Sequence, residues 1–410
     1  MIKVGLIGIN GFGRVHVENV LKLAAKGMVK CVAFADIKVD RQDEQYQQLI
    51  ALGAKHYTDY NEMLDNHKEL DFVTIATPIH LHKPMAIDAL NKGFNVFLEK
   101  PPAVTIQDID EIIEAANKSG KLCEVGFQTI TGKAFRTLVK KLRDGQLGSV
   151  GKVVGVGMWK RTQAYYERTP WAGKLIHHGS YVLDGSITNP LAHLLHNCLI
   201  VAGSGDADAA VPKKVQAELY KAHPIEGEDT SCIRIKTANN VEIMFYTTLC
   251  HTGQDIPYIK IYGSNGQAVW HYNNILEFEY KDGGRENYEF EEEDLFLNKL
   301  IEFIEALQGK EMELNSSIHK CKNFVLVCNG AYESSRETIN ISDEYLIIKP
   351  EDNTIATNIK NIDKIIEEAA KQGKLFSELS IEWAVSTRPF SMEGYNSFQL
   401  LKTTNGGLYG

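Results

Sequence analysis

The sequence predicts a two-part α/β protein: a doubly wound parallel sheet at the N-terminus, then an α+β domain with a large, mainly antiparallel sheet. Over the first 128 residues, apolar runs at 4–9, 29–35, 72–76, 95–98 and 122–127 alternate with helical segments at 13–26, 80–91 and 106–118. Such alternation builds a parallel sheet, because each right-handed crossover needs a helix to cover a sheet face. Beyond Gln128 the pattern changes, and from 215 to 280 the chain reads as strand after strand. There Ser264-Asn-Gly266 supplies hairpin turn chemistry between two apolar runs.

The elements follow in order. The run 4–9 enters a strand at once and stops at a glycine-rich turn that opens the helix 13–26. The run 29–35 ends at Asp36, and 95–98 ends abruptly at Glu99-Lys-Pro-Pro102. Continuous apolar runs of this length suit strands buried on both faces. After residue 128 come a helix at 134–143, a strand at 152–159, a loop rich in aromatic and basic residues, and a helix at 191–201. Helices at 295–307 and 319–336 close the second domain, and 339–410 is a less regular tail with one helix at 361–371. The expected domains are therefore 1–128, 129–338, and an extension 339–410 packed on the other two, suiting a chain of 410 residues.

Composition narrows the function classes. A hydrophobic content of 44% and a charged content of 24% are those of an ordinary globular protein. A formal charge of -9 argues against a general nucleic-acid or anionic-membrane binder. No run of 18 apolar residues predicts a membrane span, and the N-terminus lacks the layout of a signal peptide. The 7 cysteines are scattered without C-x-x-C spacing, which favours reduced thiols and a cytoplasmic location. No metal site is expected, and His177-His178 has no carboxylate or cysteine at ligand spacing.

Gly8-Ile-Asn-Gly-Phe-Gly13 lies between a strand and a helix, the context a dinucleotide fingerprint requires. Gly8 permits the tight turn, Gly13 allows helix and strand to pack closely, and the helix N-terminus offers its N–H groups to a pyrophosphate. Asn10 replaces the middle glycine and is expected to tolerate positive φ there. Asp36 would accept hydrogen bonds from a ribose and repel a 2′-phosphate, which favours NAD over NADP. A resemblance of Gly-Ile-Asn-Gly-Phe-Gly-Arg14 to glyceraldehyde-3-phosphate dehydrogenases fails, because no cysteine has that family's nucleophile setting.

Ala76-Thr-Pro-Ile-His-Leu-His82, then a helix, then Glu99-Lys-Pro101 resembles the Gfo/Idh/MocA family of NAD(P)-dependent sugar and inositol oxidoreductases. The likeness runs over roughly residues 1 to 335, through Gly126-Phe-Gln128, Trp159-Lys-Arg161, Trp171-Ala-Gly173 and Gly263-Ser-Asn-Gly266. It implies a Rossmann domain whose cofactor residues are Gly8, Asn10, Gly11, Phe12, Gly13, Arg14, Asp36, Thr77, Pro78, His80, His82, Glu99, Lys100 and Gln128. The family's second signature is an Asp four residues before a His. Here Asn189-Pro-Leu-Ala-His193 takes that place, with His196 at the position of a further Asp. An alternative register would use Asp184 and lose the histidine. The resemblance also implies a homodimer or homotetramer, and Arg388 and Tyr395 are expected to reach a neighbouring cleft or subunit.

Residue types then suggest roles. Oxidising a secondary alcohol needs a base for the hydroxyl proton while hydride leaves the carbon. An imidazole suits that task at His193, and an ammonium at Lys100 would steady the reacting oxygen. Asn189 would bond a substrate hydroxyl; Arg161, Tyr166, Arg168 and Trp171, together with Tyr165, would form a carbohydrate wall. Glu99 is expected to bond ribose or orient Lys100, and Lys100–Pro101 to be a cis peptide. The expected activity is NAD-dependent oxidation of a ring hydroxyl of a sugar, sugar acid or cyclitol. A redox-assisted glycosidase or lyase, with Tyr166 or His178 as an extra base, and a non-catalytic NAD-sensing regulator are the alternatives.

Overall fold

The computed structural model describes residues 1–310 and 314–399. The chain divides into two units: Met1–Thr131 with Glu293–Cys321, and Gly132–Glu292 with the chain from Lys322 onward.

In the first unit, six parallel strands carry the fold: β1 (Ile2–Ile7), β2 (Val29–Ala35), β3 (Lys55–Tyr57), β4 (Phe72–Ile75), β5 (Asn95–Leu98) and β6 (Cys123–Val125). Helices α1 (Gly13–Ala25), α2 (Glu44–Ala51), α3 (Tyr60–Asn66), α4 (His82–Asn91) and α5 (Ile106–Ser119) connect them. The strand order is β3-β2-β1-β4-β5-β6, so the winding reverses between β1 and β4, where open α/β sheets bind ligands. All of β4 is buried, Thr74 included, which accounts for its largely apolar sequence. Helix α5 is typical of the crossovers: the Thr105 hydroxyl accepts from Asp108 N, and Gly120 closes it in the left-handed region at φ 67. The short elements α2, β3 and α3 lie in 37–71, which the sequence pattern left without assignment.

Glu293–Cys321 belongs with the first sheet, not with the second domain where sequence placed it. Its helix, Leu295–Leu307, buries Leu300, Phe303 and Ile304 against Val4, Leu6, Phe34, Phe72 and Phe97. The same helix sends Lys299 to an ion pair with Glu124, both side chains almost wholly buried. Ser316 Oγ donates to the same carboxylate at 2.8 Å. Apolar spacing reveals a buried helix face but not the sheet that covers it. Lys299→Met leaves a buried carboxylate without its cation, and should cost about 3–5 kcal/mol in denaturant unfolding. Adding Glu124→Leu should restore most of that stability; a single variant as stable as the wild type would contradict this.

In chain order the second unit contains α6 (Lys133–Arg143), β7 (Val150–Met158), α7 (Gln163–Glu167), the two-residue β8 (Ile176–His177) and β9 (Ser180–Tyr181), and α8 (Ala192–Ala202). Then come β10 (Pro212–Lys221), β11 (Thr230–Thr237), β12 (Glu242–Thr248), β13 (Tyr258–Gly263), β14 (Gly266–His271), β15 (Ile275–Tyr280) and β16 (Arg285–Glu289). With the helix Leu295–Leu307 counted as α9, the remainder is α10 (Lys322–Ser335), β17 (Ile339–Asn340), β18 (Leu346–Glu351), β19 (Thr354–Ile359), α11 (Ile362–Gln372) and β20 (Phe390–Ser391). The large sheet runs β16-β15-β14-β13-β7-β12-β11-β10-β17, with β20 beside β10. It is mixed rather than uniformly antiparallel, because β7 pairs parallel with β12 and β10 with β17. The β13–β14 hairpin turns at Gly263 and Gly266 as the sequence predicts.

The extension is part of this unit's core. Ile362, Ile366 and Ala369 of α11, with Phe376 and Trp383, pack on Val154, Val156, Tyr220, Met244 and Tyr246 of the sheet. The Arg388 carbonyl accepts from Ser334 Oγ at 2.7 Å, and the Tyr395 hydroxyl donates to Glu333 at 3.0 Å. Among the described residues no helix is long and apolar enough to cross a membrane. The seven cysteines are all buried and unbridged.

Candidate functional site

The carboxyl ends of β1, β4 and β5 present three segments of the first unit. After β1, Gly8 has φ 84, and a Cβ there would lie 2.7 Å from the carbonyl oxygen of Ala76. A Cβ at Gly13 would lie 2.4 Å from the Gly8 carbonyl oxygen, so only glycine lets α1 start this close to the strand end. Helix α1 has no side-chain cap and no acid in its first turn, which leaves its N-terminal dipole uncompensated. Gly11 carries the second left-handed turn of the loop, at φ 56.

Asn10 corrects the sequence reading, for its φ is not positive. Instead its amide donates to Asp36 Oδ2 at 3.1 Å and to the Lys38 carbonyl at 2.6 Å, tying the fingerprint loop to the end of β2. Asp36 also accepts from Ile9 N at 2.9 Å and Lys38 N at 3.1 Å. A carboxylate has about four acceptor sites, so three N–H bonds leave room for one ribose hydroxyl. Arg14 turns to Asp43, 2.7 Å away, and that hydrogen bond is the main reason the Asp43 carboxyl is held below its ordinary range. Phe12 remains largely exposed beside the loop.

After β4, Thr77 and Pro78 lead into a short turn, Ile79–Leu81, that carries His80. His82 proves to be a brace, not a group turned to a ligand. It is 1% exposed, and its ring nitrogens lie 2.8 and 2.9 Å from the carbonyl oxygens of Pro101 and Thr77. Burial pushes its pKa down, against the pull of the two carbonyl oxygens. After β5, Lys100–Pro101 is cis, as expected. Glu99 is buried; one oxygen lies 2.7 Å from His16 Nε2 and the other accepts from Lys100 N at 3.1 Å. His16 was not legible in the sequence, because only the docking of α1 on the sheet brings it to Glu99. Gln128 is buried in the turn Gln128–Thr131, and Gly126 is glycine because a Cβ there would meet Glu99 Oε1 at 2.7 Å.

In the second unit the loop after β7 stacks cations on rings. The Arg168 guanidinium lies 3.7 Å from the Tyr165 ring centre and 5.5 Å from that of Trp171. Arg161 sits 5.1 Å from the Trp159 ring and 5.2 Å from Tyr165. Tyr166, expected in the same wall, packs both on Tyr165, with ring centres 5.1 Å apart, and on His223, at 4.8 Å. Burial raises its pKa well above the ordinary value, so its hydroxyl stays protonated at neutral pH and cannot serve as a base. The other candidate base, His178, sits exposed in the β8–β9 turn.

Asn189 and Asp184, alternatives in the sequence, form one unit in the structure. The Asn189 amide donates to Asp184 Oδ1 at 2.8 Å, and Asp184 Oδ2 accepts from Gly173 N at 2.7 Å. Arg168 Nη2 lies 3.8 Å from that same oxygen. His193, in the first turn of α8, is 8% exposed, whereas His196 is wholly buried in the core. Beneath this segment Glu228 accepts from Ile187 N at 2.9 Å, Ser186 Oγ at 3.3 Å and the Tyr332 hydroxyl at 2.6 Å.

Burial, with a smaller push from Asp184, raises Glu228 from its ordinary 4.5 to about 7. A raised acid holds its proton in the fold while the unfolded chain has released it, so stability falls as pH rises between 4.5 and about 7. Glu228→Gln should remove that slope. The wild type is expected to lose on the order of 3 kcal/mol relative to the variant across the window. Parallel melting curves of the two proteins from pH 4.5 to 7 would overturn this.

Two further contacts hold the wall. His223 lies 2.9 Å from Asp229 and 3.1 Å from the Arg161 carbonyl oxygen, with Cys250 Sγ 3.5 Å from the same ring. These three potential metal-ligating groups lie within 4.8 Å of one another, yet Asp229 already accepts from Ala222 N and His223 N. They form a hydrogen-bonded knot under Arg161. From the extension, Glu351 pairs with Lys160 and Thr354 Oγ1 accepts from Ala164 N at 3.0 Å. The extension thus secures the loop, a role the sequence did not suggest.

Residues 2–127 match the Gfo/Idh/MocA family model, described as an oxidoreductase family with an NAD-binding Rossmann fold. Inositol 2-dehydrogenase of Salmonella typhimurium is 32% identical over 174 residues, 40% of this chain and 51% of that protein. An alpha-N-acetylgalactosaminidase of Shewanella oneidensis is 28% identical over 43% of this chain and 38% of its own length. The chain therefore spans about half the length, or less, of these curated relatives. Among solved structures, the WlbA dehydrogenase from Bordetella pertussis, in complex with NADH and UDP-GlcNAcA, aligns with a TM-score of 0.67 at 22% identity. That alignment covers 82% of this chain and 96% of the other, a likeness of fold. The glycine-rich loop, the uncapped α1 and the remaining acceptor site on Asp36 fit a dinucleotide.

Proposed function

We propose that the protein is an NAD-dependent oxidoreductase that oxidises a ring hydroxyl of a sugar, sugar acid or cyclitol to a ketone, reversibly. The observation that carries this reading is that the fingerprint loop, Asp36 and Glu99-Lys100-Pro101 stand at the carboxyl ends of strands β1, β2 and β5 of one parallel sheet. When bound, the nicotinamide accepts a hydride from the carbon that bears the hydroxyl. In this reading α1 binds the pyrophosphate, Asp36 the ribose, and Thr77, Pro78 and His80 line the cofactor. The Lys100 ammonium steadies the reacting oxygen and His193 takes its proton. Asn189 and Asp184 position the histidine and bond a neighbouring hydroxyl. Arg161, Tyr165, Arg168 and Trp171 receive the ring, aromatic faces against C–H and guanidinium against hydroxyl or carboxylate.

The test is absorbance at 340 nm with purified protein, NAD or NADP, and a panel of hexoses, uronic acids, inositols and glycosides. NAD is expected to exceed NADP at least tenfold in kcat/KM, since Asp36 would face the 2′-phosphate. Asp36→Ala should narrow that ratio, and a wild-type preference for NADP would sink the assignment. A second reading, redox-assisted glycoside cleavage, draws support from the likeness to the galactosaminidase. It needs one more base than the dehydrogenase, and the burial of Tyr166 weighs against it. Glycoside cleavage without accumulation of NADH would favour this second reading.

A further inference from the structure

Beside the loop after β7 the second unit has an open pocket of about 350 Å³, within the size range of small-molecule sites. Gln163, Tyr166, Thr169, Lys174, Lys221 and Glu226 supply its polar lining. The charges there do not balance. Glu226 is neutralised by Lys174 at 2.8 Å and also accepts from Leu175 N at 3.1 Å. Lys221 makes no ion pair or side-chain hydrogen bond among the described residues, although it is partly buried at the end of β10. Loss of water around its ammonium pushes its pKa down, against the attraction of Glu226 and Asp229. The hydroxyl oxygens of Tyr166 and Thr169 are buried and likewise have no partner among the described residues. A buried hydroxyl without a partner is unfavourable, and an occupant of the cavity would supply the missing bond.

We propose that this cavity is a subsite for the oxyanion of an acidic sugar, with Lys221 as its ion-pair partner and Gln163, Thr169 and Tyr166 as hydrogen-bond partners. The inference rests on the carbohydrate reading of the same loop and narrows it. Tyr166 and Thr169 flank Arg168 in sequence, and Gly173, on the cavity wall, donates its N–H to Asp184. A carboxylate or a phosphate presents the required chemistry, so the substrate class is a uronic acid or a sugar phosphate rather than a neutral polyol.

The test is calorimetric titration of the full chain with glucuronate, glucose 6-phosphate, glucose and inorganic phosphate, with and without NAD. At least one acidic sugar should bind tenfold or more tightly than glucose, and Lys221→Met should remove that advantage with the melting temperature unchanged. Thr169→Val, which keeps the charge, should weaken the same ligand a few-fold. Binding of inorganic phosphate alone, no binding of either acid, or full affinity in Lys221→Met overturns the proposal. Acid binding that depends on Lys221 but yields no NADH would instead fail the dehydrogenase reading and leave the subsite standing. Turnover of a neutral polyol without acid binding would do the reverse.

Discussion

Lys100→Ala is expected to lower kcat by about 10²–10³-fold, the loss seen when a single oxyanion-stabilising donor is removed. The lysine follows β5 directly, and its backbone N–H is held by Glu99, itself 2.7 Å from His16 of α1. That backbone framework does not depend on the ammonium, so NAD affinity measured by calorimetry should stay within about twofold. The loss would then lie in kcat more than in KM, the signature of an interaction made chiefly in the transition state. Lys100→Arg keeps the charge but not the compact ammonium, and should recover only part of the rate. Wild-type turnover in Lys100→Ala would remove the lysine from the chemistry.

His193→Asn should cost about 10²–10⁴-fold in kcat, the range for a positioned general base. The variant keeps a polar side chain in the first turn of α8, where the segment before it is fixed by Asn189 on Asp184. A structural role would leave the pH dependence of kcat/KM intact; loss of the base should flatten its acid limb. Asp184→Asn gives the companion measurement. It should act through His193 and change the pH profile more than the affinity for NAD. If His193→Asn keeps both rate and profile, Lys100 must handle the proton as well.

Much of the first unit was legible because its signals are local. Gly8, Gly13 and Asp36 stand at strand ends, and Glu99-Lys100-Pro101 ends the run that forms β5. An apolar run identifies a buried strand, and a following glycine or proline marks its end, whatever the remote chain does. The α5 crossover, with Thr105 before it and Gly120 after it, was equally plain. At Asn10 the replacement of a glycine suggests a backbone role, whereas its amide reaches across to Asp36 and Lys38. The helix Leu295–Leu307 was assigned to the wrong sheet, since its Leu300, Phe303 and Ile304 suit either core.

What the sequence determined by itself was the order of elements, the dinucleotide loop and the charged end of β5, each written within a few consecutive residues. Tertiary structure decided the rest. It joined Asn189 to Asp184 and set Glu228 beneath them; it packed Tyr166 between Tyr165 and His223 and anchored the wall on His223 and the extension. The physical reason is the same in each case. Periodicity states that a side chain is buried, but its hydrogen-bond partner, and hence its protonation and chemistry, comes from strands far away in the chain. Only the folded sheet brings the two together.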